Sequence, residues 1–309
     1  MNRPLPLVSC LVLLLGCDLA SFAAGSTADI FTEASPAIDQ HFDPELVGDS
    51  LPSNIVQLEG LLRVVPEHEG ALFGGLRGYG SYAYGYVEDQ AERLEVAGDE
   101  TGARMARERA VLLYRRAWEL AERYAELRLD DFDEAREAGI GEFRAWLADR
   151  EEDEAEDLFW VGFTWGQYVN AAHPHEPHPD RDFALGLVRR SIALDPAVYG
   201  ASGSAVVAYA ATRAPGTTLE GARRAWDLAL ARSERKNLLI LVFMARTYAL
   251  RKRDRELYVD LLREVLEAGD VNPEMRLSNL LAKRRAERYL REVDRVFPRS
   301  DRTVAPANF

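Results

Sequence analysis

Residues 217–233 read TTLEGARRAWDLALARS. Leu219, Ala222, Trp226 and Ala229 recur at spacings of three and four, opposite Glu220, Arg223, Arg224 and Asp227. That is the period of one apolar stripe along an α-helix, not the alternation of a strand. Thr217 with Glu220 three residues on predicts a capping box at the helix start.

The pattern repeats outward in pairs. Segment 200–213 precedes this helix, 236–250 precedes 253–268, and 155–171 precedes 181–194. The first member of each pair is rich in small and aromatic residues, the second in charge. The second members end near 195, 233 and 270, a spacing of 38 and then 37 residues. This lies close to the tetratricopeptide period of about 34 residues. A longer pair, 66–92 and 102–128, lies upstream, with Leu113, Ala117, Leu120, Tyr124 and Leu127 on one stripe and an extra helix near Gly141–Leu147. Leu257, Leu261 and Val265 continue the theme, with Gly269 placed to close that helix in a left-handed cap. A last helix runs from Arg276 to Phe297 and stops at Pro298. The expected fold is all-α: tetratricopeptide-like helical hairpin repeats stacked into a solenoid over residues 51–300, with 301–309 a C-terminal tail. Such repeats bury their apolar faces only by stacking on one another.

The N-terminus reads differently. After Arg3, Leu5–Leu15 is almost continuously apolar, too short to span a bilayer but suited to a secretory signal. It ends Leu14-Leu15-Gly16-Cys17, which resembles a bacterial lipobox. That predicts a signal peptide over 1–16 and a lipid on Cys17; the other reading is a plain signal cut after Ala23 or Ala24. Residues 17–50, in which Ser, Thr, Ala, Asp and Pro recur without a sustained period, read as a lipidated N-terminus and flexible tether. The two cysteines are Cys10 and Cys17, so no disulfide is available to the mature body.

A formal net charge of −13 argues against nucleic acid as a partner, since phosphates are repelled by such a surface. No Ser/His/Asp, Cys/His or metalloprotease constellation occurs, so no enzyme and no cofactor is expected. Gly78-Tyr79-Gly80-Ser81-Tyr82-Ala83 matches the dinucleotide fingerprint G-x-G-x-x-A, but that motif requires a strand before it and here it sits inside a helical stretch. His173, His175 and His178 share a proline-stiffened loop; they are weak metal candidates, read more simply as solvated. The acidic run 149–157 reads as a hydrated helix start. The first helices carry Tyr79, Tyr82, Tyr86, Trp160, Trp165, Tyr168 and Asn170. Aromatics there serve as repeat core or line a groove for an apolar ligand or a partner.

Several stretches are similar to one family. Asn54–Leu62, Pro66, Leu72–Ala83, Leu158–Gly166, Asn170, Arg255–Ala268, Pro273-Glu274 and Leu277-Asn279-Leu281-Ala282 together resemble the T component of TPR-protein-associated TRAP transporters (TatT). The resemblance covers roughly residues 45–300 and includes the lipobox. It implies a periplasmic lipoprotein with cryptic tetratricopeptide repeats. It further implies a homotrimer with a pore through each subunit, binding the substrate-capturing P subunit (the periplasmic solute-binding subunit) and hydrophobic small molecules. The alternative is a generic TPR-like envelope lipoprotein that acts as an assembly adaptor without binding solute.

Overall fold

A computed structural model describes residues 7–174 and 176–298, with side chains from Leu19 onward. Helix accounts for 83% of it, and no strand occurs among the described residues. Gly78 and Gly80 therefore lie within a helix, and the fingerprint has no strand to follow. The chain divides into two compact units, Met1–Val198 and Tyr199–Phe309.

In the first unit, α1 (Leu7–Ala34), α2 (Pro36–Asp39) and α3 (Pro44–Val64) precede α4 (Glu69–Tyr82). A π-helical segment, Ala83–Glu88, joins α4 to α5 (Asp89–Val96). Then come α6 (Glu100–Arg128), α7 (Phe132–Glu137), α8 (Ile140–Ala148), α9 (Ala155–Ala172) and α10 (Asp180–Leu194). The starts follow local chemistry. Asp43 Oδ1 accepts from the backbone N–H groups of Glu45 and Leu46, with Pro44 at the first helical position, and Asp99 Oδ1 accepts from Gly102 N–H at 2.8 Å. Neighbouring helices then pack as hairpins: α3 with α4, α4 with α6, α6 with α9, and α9 with α10.

Glycines set the closest of these approaches. A Cβ at Gly162 would lie 2.7 Å from the Ala184 carbonyl oxygen and 2.7 Å from Leu187 Cβ, so α9 meets α10 through bare backbone. One at Gly75 would meet Leu120 Cδ1 at 2.7 Å, which fits α4 against α6.

The N-terminal region departs from the expected tether. α1 is helical to Ala34, and helix resumes at Pro44. Ala28 is fully buried, Asp29 Oδ1 lies 3.2 Å from His68 Nε2, and Gly70 leaves room for Thr32. α1 packs on α3 and α4. The small residues 23–28 carry no bulky stripe for periodicity to detect, yet smallness is what lets one helix lie close on another. Residues 1–6 and 299–309, and with them the whole of the expected tail, lie outside the described residues.

The second unit opens on Tyr199, Gly200 and Ala201, all left-handed (φ 44°, 61° and 60°), at the start of α11 (Val198–Arg213). Asn237 Nδ2 holds this turn by donating to the Gly200 carbonyl and to Ser202 Oγ. α12 (Leu219–Arg232), α13 (Leu238–Met244), a second π segment (Ala245–Ala249), α14 (Leu250–Lys252), α15 (Arg255–Glu267), α16 (Arg276–Arg291) and α17 (Val293–Val296) follow. Trp226, Leu241, Tyr258, Leu262 and Val265 are fully buried there. Each such large apolar side chain contributes roughly 1.5–3 kcal/mol on leaving water.

Three local expectations change. Thr218, not Thr217, caps α12, its Oγ1 accepting from Gly221 N–H at 3.1 Å. α15 ends on extended Ala268 instead of a left-handed Gly269, and Lys283 Nζ donates to the freed Ala268 carbonyl. The last helix breaks at Glu292. Asn279 explains one of the family-like residues: its Oδ1 accepts from Leu238 N–H and its Nδ2 donates to the Lys236 carbonyl, so it caps α13 from α16.

Candidate functional site

Three aromatic neighbourhoods of the first unit hold the tryptophan and tyrosine candidates other than Tyr79. Trp160, on α9, is 3% exposed and sits among Phe73, Phe159 and Phe163, with the Arg77 guanidinium 4.7 Å above its ring. Arg77 in turn reaches Asp39 at 2.6 Å. Trp165, 2% exposed, stacks on Trp118 with ring centroids 4.5 Å apart and donates through Nε1 to Asp180 Oδ2. Both tryptophans therefore pack helices together.

The third neighbourhood is only partly covered. It forms where the π segment of the first hairpin lies against α6. A π turn inserts an extra residue and rotates the side chains after it, and such turns recur at functional sites. Ala83, Val87, Ala110 and Tyr114 make a small buried floor, against which Tyr82, Tyr84, Leu113 and Tyr168 pack, half-buried. Tyr82 stacks on Tyr86, and Tyr86 donates through its hydroxyl to the Pro44 carbonyl at 2.8 Å. Gly48 makes space for that ring: a Cβ there would lie 2.4 Å from Tyr86 Cε1. Arg109 lies 5.5 Å over the Tyr82 ring and Arg115 6.0 Å over Tyr168. These cations add attraction to the ring faces. The buried Asp89 carboxylate lies 3.5 Å from Arg93.

Tyr79 belongs to a separate polar network. Its hydroxyl donates to Glu59 Oε1 at 3.0 Å, while Arg116 donates to both Glu59 oxygens at 2.6 and 2.7 Å. The Arg116 hydrogen bonds hold the Glu59 carboxyl below the usual carboxylate range. Burial, reinforced by the Glu59 charge, pushes the Tyr79 phenol up to about 12. The network ties α3, α4 and α6 together. Likewise the Tyr124 hydroxyl donates to the buried Asp157 at 2.5 Å, and burial raises the Tyr124 phenol strongly.

Asn170 is exposed and accepts from Arg181 Nε at 3.2 Å; Arg181 also donates to the Glu176 and His173 carbonyls, so the pair pins the histidine loop. His173 and His178 stack face to face with centroids 4.4 Å apart, which turns their ring nitrogens sideways instead of toward a shared point. His175 lies outside the described residues, and among the described residues no group of three His, Cys, Asp or Glu side chains is placed to hold a metal ion. Cys17 falls within α1, in the part described by backbone only. Among the described residues no helix is long and apolar enough to cross a membrane.

Of the sequence candidates, Tyr82, Tyr86 and Tyr168 come together on one partly exposed surface; Trp160, Trp165, Tyr79 and Asn170 do not join it. Arg109, Arg115 and Tyr84 were not among those candidates. The two arginines meet their rings across helices, so no local spacing announces them.

No curated protein matches the chain. A family model described as TRAP transporter T-component (TAtT) matches residues 40–297, which takes in nearly all of the described hairpins of both units. The chain belongs to the TRAP transporter T-component family.

Proposed function

We propose that this TRAP transporter component is a non-enzymatic scaffold that docks the transporter's periplasmic solute-binding subunit and shelters an apolar ligand beside Tyr82, Tyr86 and Tyr168. The family places it in the bacterial envelope. On this reading Cys17 carries a lipid that holds the protein on the periplasmic side of a membrane, and the protein assembles as a homotrimer. The observation that carries the proposal is the family match over residues 40–297. The tyrosine surface supports the ligand clause: the half-buried rings of Tyr82 and Tyr168 leave aromatic area at the surface.

Sedimentation velocity tests the partner. The protein, mixed with the solute-binding protein encoded beside its gene, is expected to form a faster-sedimenting complex; two unchanged boundaries, or no such neighbouring gene, would overturn the docking role. Native mass spectrometry tests the ligand. A co-purifying lipid-like mass is expected, and a clean apo mass would remove the ligand clause and leave an assembly adaptor.

A further inference from the structure

The residues just after Cys17 are helical, and they combine exposed apolar side chains with an absence of charge. Residues 19–23 are all exposed, whereas Ala28 of the same helix is fully buried. Leu19 is 67% and Phe22 71% exposed. From Leu19 to Ala28 the chain carries no charged residue, in a protein where 29% of residues are charged. Helix rise puts Phe22 about 7 Å and the buried Ala28 about 16 Å along the axis from Cys17. A docked helix thus leads from the body of the first unit to the lipid attachment point and leaves large apolar side chains uncovered beside it.

We propose that the exposed turns of α1 just after Cys17, with Leu19 and Phe22, lie in the headgroup and upper acyl region of the bilayer. The proposal rests on lipidation of Cys17. The occupant follows from position: a chain held to a bilayer at residue 17 presents its residues 19 and 22 to that bilayer first. Exposed apolar side chains held at a bilayer gain by leaving water, and no charge between Leu19 and Ala28 opposes that transfer.

The test uses the full chain, lipidated in a bacterial host and reconstituted into vesicles of phosphatidylcholine and phosphatidylglycerol. Cys10 leaves with the signal and Cys17 is blocked by its lipid, so an introduced cysteine is the one free thiol. Phe22→Cys and Ile30→Cys each receive an environment-sensitive fluorophore; Ile30 is 66% exposed on the same helix, farther from the anchor. Brominated lipids are expected to quench the residue-22 label roughly threefold more than the residue-30 label, since the interface is only about 5–10 Å deep. Intact mass is read on the same samples. An N-terminus without lipid overturns both the anchor and this proposal. A lipidated N-terminus with equal quenching at the two positions overturns the membrane contact alone, and disulfide-linked oligomers of unlabelled Phe22→Cys would then assign the surface to a second copy.

Discussion

Replacing Gly162 by alanine tests the claim that small residues in the first helices exist for helix contact. The new Cβ would sit 2.7 Å from the Ala184 carbonyl oxygen, 2.7 Å from Leu187 Cβ and 3.0 Å from Val188 Cγ2. None of these is the free end of a flexible side chain, so α9 and α10 must move apart. Overpacking of this kind costs roughly 1–3 kcal/mol. Alanine returns at most about 1 kcal/mol through its higher helix propensity. The net expectation is a loss of about 1–2 kcal/mol, or roughly 2–8 °C in Tm for a unit of this size. Gly60→Ala is the control. It lies within α3 with nothing within 4 Å of the new Cβ, so it is expected to stabilise by up to about 1 kcal/mol. Urea unfolding followed by far-UV circular dichroism compares the two within the same unit. If Gly162→Ala proved as stable as Gly60→Ala, α9 and α10 would not be in backbone contact and the packing account of these glycines would be wrong.

Thr212→Val keeps the side-chain shape but removes the Oγ1 that accepts the buried Trp226 Nε1–H at 2.8 Å; urea unfolding should show a loss of roughly 1–3 kcal/mol, and an unchanged midpoint would refute the bond's role. Because the Glu59 carboxyl is held below its ordinary value of about 4.5, its stabilisation is full above that pH and is lost as pH falls through the folded value; Glu59→Gln should flatten this acid limb of the Tm profile. Tyr79 behaves oppositely: its raised phenol contributes stability that is present below pH 10 and is lost between 10 and about 12, so Tyr79→Phe should remove a late-titrating tyrosine from the absorbance at 295 nm. Replacing Tyr82 and Tyr168 together by alanine should leave the helical circular dichroism intact while abolishing the co-purifying ligand mass; a retained ligand would place the binding surface elsewhere.

Helix positions were legible in the chain because a packed helix must repeat its apolar residues every three or four positions, whatever it packs against. Trp226 and Ala229, or Leu261 and Val265, declare that period locally. Caps were less legible: Thr217 and Thr218 offer the same hydroxyl one residue apart, and which one turns inward depends on where the preceding loop delivers the backbone. The α1 helix was missed because Ala, Gly, Ser and Thr give no period of their own, although these small residues fit against Gly70 and His68 once a neighbouring surface exists.

By itself, then, the chain specified paired helices, the stretches that resemble the family and the lipobox-like run ending at Cys17, since each is a matter of residue type at fixed spacing. Tertiary structure alone decided which aromatics are core and which stay at the surface. Trp160 and Tyr82 are both aromatic residues of first helices; one is enclosed by Phe73, Phe163 and Arg77, while the other rests half-exposed on Ala83 and Val87. Burial is a property of what neighbouring helices bring to a side chain, and that is set by contacts between residues far apart in sequence.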